Sequence, residues 1–176
     1  MIQQTLILIK PDAMERDLAD EIIKRYKKMG LKVVKKKKMV APLSIIEKHY
    51  PMDSDYLRSI GQKTIAAGQK VKSPEDQGRK VVTWLRRFIT SGPIVVLILE
   101  GEDAINRVRE ITGFTDPQTA KKGTIRERFG TDSILKANRE GRPVYNLLHA
   151  SDSRQEAEKE IKLWFGEYKI GRRSRI

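Results

Sequence analysis

The chain contains no cysteine, which excludes disulfides, thiolate metal centres and cysteine nucleophiles at once. Histidine is nearly as scarce, with two residues, so imidazole chemistry is confined to His49 or His149. The longest wholly apolar run, Ile94 to Leu99, is far too short to cross a bilayer, and the apolar N-terminus follows no basic region. No membrane span and no secretory signal are expected, and a cytoplasmic protein fits both this and the missing cysteine. Also lacking are the glycine patterns of a P-loop or a dinucleotide-binding turn; Gly123-Thr124-Ile125-Arg126 is too weak to replace them.

What is present is positive charge. The 176 residues carry a net charge of +13, with local excess at Lys35 to Lys38 and at Arg172, Arg173 and Arg175. Such a surface attracts phosphate-bearing partners, whether nucleotides, nucleic acid or anionic membrane, and charge alone does not choose among them. Solvated surface and a frayed end are the commoner source of basic runs of this length, with nucleic-acid contact as the main alternative. Length and composition predict one soluble globular domain over residues 1–176.

Thr5 to Ile9 is a continuous β-rich apolar run, the pattern of a strand buried on both faces. Helical spacing from Leu18 to Met29 ends at Gly30, and Leu31 to Val34 reads as a second strand. Ser44 with Glu47 has the spacing of a capping box for a short helix ending near Tyr50. Pro51 to Arg79, with Gly61, Gly68 and Gly78, reads as an irregular insertion. A helix from Val81, the strand Ile94 to Leu99, a helix over Ala104 to Ile111, a strand Val144 to Leu148 and a last helix capped by Ser153 complete the order. Two βαβ halves in this order predict an α+β, ferredoxin-like βαββαβ sandwich, with helices packed on one face of an antiparallel sheet.

His49 ends a short helix and reads as a structural surface residue. His149 ends a predicted strand just before the N-terminus of the last helix, where free backbone N–H groups favour anions. A neutral imidazole is a competent phosphoryl acceptor, and Glu160, about two turns into that helix, could reach its other ring nitrogen. On residues alone, a hydrogen-bonded structural His149 and a nucleophile remain alternatives. Lys10, Arg109, Arg126 and Arg128 are candidate phosphate binders that also pass for ordinary surface charge.

An ordered set of segments decides more than any one residue. Ile9-Lys10-Pro11-Asp12-Ala13, Glu47-Lys48-His49-Tyr50, Ser91-Gly92-Pro93, Gly113-Phe114-Thr115-Asp116-Pro117, Gly123-Thr124-Ile125-Arg126 and Asn146-Leu147-Leu148-His149-Ala150-Ser151-Asp152-Ser153 resemble, in sequence order, the nucleoside diphosphate kinase family. The resemblance runs from Thr5 to Phe165 and implies a ping-pong transfer of the γ-phosphoryl group of a nucleoside triphosphate, such as ATP, to a nucleoside diphosphate. It further implies His149 as the phosphorylated residue and Glu160 as its orienting carboxylate. Lys10, Tyr50, Arg109, Thr115, Arg126 and Asn146 match the residues that hold phosphates and sugar, with Ser151 beside the histidine. Val81 and Leu85 fall at the base clamp by counting back from Gly92. Mg²⁺ on the nucleotide phosphates and a homo-oligomer, often a hexamer, are implied as well. Insertions near 56–78 and 131–142 make the chain resemble the longer, archaeal-type branch. The different-class alternative is a basic nucleic-acid-binding or regulatory protein on the same fold.

Overall fold

The computed structural model describes residues 1–166 and Tyr168; the arginine-rich tail lies outside the described residues. In chain order the elements are β1 (Ile2–Ile9), α1 (Pro11–Glu15), α2 (Ala19–Lys28), β2 (Lys32–Val40), α3 (Leu43–His49), α4 (Ser54–Ala66) and α5 (Pro74–Thr90). There follow β3 (Pro93–Glu102), α6 (Ala104–Thr112), a 3-10 turn (Pro117–Thr119), α7 (Ile125–Phe129), α8 (Ile134–Arg139), β4 (Leu148–Ala150) and α9 (Arg154–Phe165).

The sheet order is β2-β3-β1-β4 with every neighbouring pair antiparallel, the ferredoxin-like arrangement. β1 and β3 form its centre, paired from Ile2↔Glu102 to Ile9↔Val95. Strand alternation sends Ile7, Ile9, Val95, Leu97 and Leu99 to one face, where Ile22 and Tyr26 of α2 and Ala104 and Val108 of α6 cover them. Leu6, Leu8, Val96 and Ile98 face the other way, against Ile46, Leu57, Val82, Ile89, Ile161 and Trp164 from α3, α4, α5 and α9. Helices therefore cover both faces, not one. The reason is already in β1 and β3, whose unbroken apolar runs would leave a bare face in a one-sided sandwich.

Four local expectations are corrected. Pro51–Arg79 is mostly helical, because Gly61 and Gly78 are contact residues rather than turn residues. A Cβ on Gly61 would lie 1.8 Å from the Pro74 carbonyl oxygen, and one on Gly78 would lie 1.8 Å from that of Leu57, so antiparallel α4 and α5 approach backbone to backbone. The second strand continues through the lysines to Val40, as an edge strand whose Lys35–Lys38 side chains are exposed; lysines on an edge discourage strand addition. The last strand sits later than expected, at Leu148–Ala150, and so contains His149. Ser44 caps nothing: Pro42 precedes α3, without a side-chain cap. Ser153 does cap α9, accepting the Glu156 N–H at 3.1 Å. No helix among the described residues is long and apolar enough to cross a membrane.

Candidate active site

The site lies where β1 and β4 run side by side. His149 stands opposite Leu8 in the register and remains a quarter exposed. Its Nε2 is 2.7 Å from Glu160 Oε1, and the other carboxylate oxygen accepts the Ser151 hydroxyl at 2.6 Å. Ser151 is fixed in turn, because its oxygen accepts the Leu6 backbone N–H at 3.2 Å. The cap at Ser153 sets the start of α9, and two turns later that helix delivers Glu160 to the imidazole. Burial alone would raise the Glu160 carboxyl, but the charge and hydrogen bond of His149, with the Ser151 bond, outweigh it and hold Glu160 at about 2. An ionised carboxylate on Nε2 fixes that nitrogen as the protonated one. Nδ1, without a hydrogen-bond partner among the described residues, keeps its lone pair.

The structure also brings His49 here, against expectation. It is buried, its ring centroid 4.6 Å from that of His149 at a steep interplanar angle of 80°. Trp164 Nε1–H donates to His49 Nδ1 at 3.2 Å. Burial first, then the neighbouring His149, pulls the His49 pKa down to about 3, so it is neutral and has no charge to offer the end of α3.

Beyond His149 the site is cationic. Lys10, at the junction of β1 and α1, is buried and donates to Asn146 Oδ1 at 2.7 Å. Burial drops its pKa to about 7, with Asp12 opposing and Arg126 and Lys63 adding to the fall. Asn146 is itself held, its amide N–H reaching the Thr115 carbonyl at 2.8 Å. Arg126 donates to the carbonyls of Asn146 (3.1 Å), Gly113 (3.0 Å) and Leu148 (2.7 Å), which leaves further guanidinium N–H groups for an anion. Arg109 is exposed on α6, within charge–charge range of Arg126. The Tyr50 hydroxyl is buried with no partner among the described residues, an orphan donor at the edge of this cluster. The predicted His149, Glu160, Ser151, Lys10, Asn146, Thr115, Arg126, Arg109 and Tyr50 thus come together.

Val81 and Leu85 do not join them in the same way. The buried stripe of α5 is Gln77, Gly78, Val82, Leu85 and Ile89, so Leu85 points into the core, and half-buried Val81 packs on the same cluster. The helix expected from Val81 starts earlier, at Pro74. Sequence reasoning also gave no role to Asp12, which holds the Leu147 N–H at 2.9 Å, or to Lys63 and Trp164. Asp12 stood in the Lys10-Pro11-Asp12 segment, in the first turn of a helix that the apolar pattern did not reveal; Lys63 carried no local signal, and Trp164 read only as part of the buried stripe of the last helix.

The family model described as nucleoside diphosphate kinase matches residues 3–58 and 73–170. The chain belongs to the nucleoside diphosphate kinase family. A relative of that name from Pyrobaculum aerophilum is 43% identical over 96% of this chain and 98% of its own length. Another, from Pyrococcus furiosus, is 37% identical over 93% of this chain and 83% of its own. The crystal structure of the NDP kinase from Pyrobaculum aerophilum superposes with a TM-score of 0.89, covering 97% of this chain and 99% of that one. The nucleoside-diphosphate kinase from Borrelia burgdorferi, a transition-state mimic with bound vanadate and ADP, is 30% identical with a TM-score of 0.78, covering 99% and 93%. The likeness to the Pyrobaculum protein over nearly all of both chains agrees with the longer, archaeal-type branch of these phosphotransferases.

Proposed function

We propose that this nucleoside diphosphate kinase works by a ping-pong cycle through a phosphohistidine on Nδ1 of His149. The carrying observation is the division of labour between the ring nitrogens: Nε2 is committed to Glu160, whereas Nδ1 has no hydrogen-bond partner among the described residues, on a side chain that is a quarter exposed. In the first half-reaction the Nδ1 lone pair forms a bond to the γ-phosphorus of a nucleoside triphosphate. The bond from that phosphorus to the bridging oxygen breaks, and a nucleoside diphosphate leaves with the electron pair. Positive charge developing on the ring is met at Nε2 by ionised Glu160, oriented by Ser151. The second half-reaction reverses these steps onto a different diphosphate.

Phosphoryl transfer asks the protein mainly for positioning and charge neutralisation. Lys10, Arg109 and Arg126 supply positive charge, and Tyr50, Thr115 and Asn146 complete the cradle. Mg²⁺ belongs with the substrate in this reading. The one group of three metal-type donors among the described residues, His49, His149 and Glu160, has two imidazoles where Mg²⁺ prefers oxygen. Bound on the nucleotide phosphates, the ion neutralises their charge. A homo-oligomer, in hexameric form, and a cytoplasmic location belong to the same reading.

Formation of GTP from ATP and GDP by the native chain and by His149→Gln is the experiment. Turnover is expected from the native chain alone. A folded native chain without turnover overturns the reading, as does a His149→Gln variant that retains it. The exposed Lys35–Lys38 edge supports polynucleotide binding as a second reading, which predicts salt-sensitive affinity that survives loss of His149.

A further inference from the structure

Glu160 and Trp164 stand one turn apart on α9, so both side chains leave the same face of the helix. Each holds one of the chain's two histidines, with opposite polarity. Glu160 Oε1 accepts from His149 Nε2–H at 2.7 Å, whereas Trp164 Nε1–H donates to His49 Nδ1 at 3.2 Å. The two imidazoles meet edge to face, and His49 Nδ1 lies 3.7 Å from the same Glu160 oxygen that serves His149. On its other contact, the wholly buried His49 ring packs edge to face with Tyr50, centroids 4.5 Å apart.

An indole N–H can only donate, so the His49 nitrogen that it meets must present a lone pair. His49 is neutral, and its single ring hydrogen therefore belongs to Nε2. Yet Nε2 is buried and finds no acceptor among the described residues. Local satisfaction would favour the other tautomer, because a small shift from 3.7 Å would bring an Nδ1–H onto the Glu160 carboxylate. Trp164 blocks that tautomer.

We infer that His49 is a positioning residue for phosphoryl transfer, and that Trp164 holds it in the tautomer that cannot donate to Glu160. The inference rests on the kinase reading above. With Nδ1 bare, His49 packs against His149 without competing for Glu160, and the carboxylate is left to the nucleophile and Ser151. If His49 donated as well, Glu160 would divide between two imidazoles. Less of its charge would then meet the positive charge that develops on His149 in the transition state.

Nitrogen NMR of the native chain carrying ¹⁵N-labelled histidine, with His149→Gln to assign the two rings, reads the tautomers directly. The expected result at neutral pH is a His49 ring with its hydrogen on Nε2; a hydrogen on Nδ1 overturns the inference. This measurement decides even where a core variant fails to fold. Steady-state kinetics then compare native protein, Trp164→Phe, and Trp164→Phe combined with His49→Phe, each checked by circular dichroism. Phenylalanine fills position 164 but removes the donor. It predicts kcat lowered about fivefold with KM within about twofold, and a His49 hydrogen that moves to Nδ1. Adding His49→Phe removes the competing donor and should recover most of the lost kcat. A merely space-filling Trp164 would neither move the His49 hydrogen nor give a loss that removal of the His49 nitrogens repairs. An active native enzyme whose kcat is unchanged in Trp164→Phe, or whose loss deepens in the double variant, overturns this inference alone. An inert native chain overturns the kinase reading instead, and the inference with it.

Discussion

Asp12 Oδ2 accepts the backbone N–H of Leu147 at 2.9 Å, and Leu147 is held at a φ of +74°. The Leu147 carbonyl accepts the Lys10 N–H at 2.9 Å, so both backbone polar groups of one strained residue are tied to the β1–α1 junction. A non-glycine residue in this region costs about 1–2 kcal/mol, and surrounding contacts must hold it there. The consequence is positional: two residues later comes His149. Asp12 thus links the phosphate-binding lysine to the strand that carries the nucleophile.

Asp12→Ala leaves the buried Leu147 N–H unpaired and should cost about 1–3 kcal/mol in urea denaturation. Turnover should fall with it, since nothing then pins the approach to His149. Asp12→Asn keeps an acceptor oxygen and should fall between native and alanine in both readouts. Unchanged stability and turnover in Asp12→Ala would remove the clamp from the account.

Lys10, pulled down to about 7 by burial, is mostly neutral in the free protein at pH 8. Phosphate groups beside it favour the ammonium and raise its pKa on binding. Nucleoside diphosphate binding at pH 8 should therefore take up a proton, measured by calorimetry in buffers of different ionisation enthalpy. Lys10→Met should abolish the uptake. For stability the sign follows the same shift: the cost of burying charged Lys10 is full below about pH 7 and is relieved as pH rises from there towards the ordinary lysine value.

Glu160 behaves in the opposite sense. Its carboxyl lies below the ordinary value of 4.5, at about 2, so its contribution to stability is present above pH 4.5 and is lost as pH falls towards 2. The stability gap between native protein and Glu160→Gln should narrow across that window. At neutral pH the amide keeps an acceptor for Nε2–H but no charge, and turnover should drop by at least about tenfold, or about 1.4 kcal/mol of transition-state stabilisation. A gap that widens on acidification would contradict the assignment of Nε2.

How far the sequence alone reaches can be judged residue by residue. The run Ile94 to Leu99 and the cap at Ser153 are local signals, and both elements stand where expected. Glycine is ambiguous by nature: Gly30 does end α2 at a φ of +80°, whereas Gly61 and Gly78 serve a helix crossing that no local pattern reveals. The lysine run hides β2, because an edge strand with solvated side chains needs no apolar alternation. Much of the site was legible through the ordered motifs. His49 was not, because its environment is made by Trp164, 115 residues along the chain.

The most direct test of the central claim is phosphorus NMR of the folded chain after brief incubation with Mg²⁺ and ATP, since the two phosphohistidine isomers give separate resonances. The account predicts one phosphohistidine, on Nδ1 of His149, that disappears as GDP is added and GTP forms. A phosphate on Nε2, or a folded and nucleotide-binding chain that never becomes phosphorylated, would contradict it.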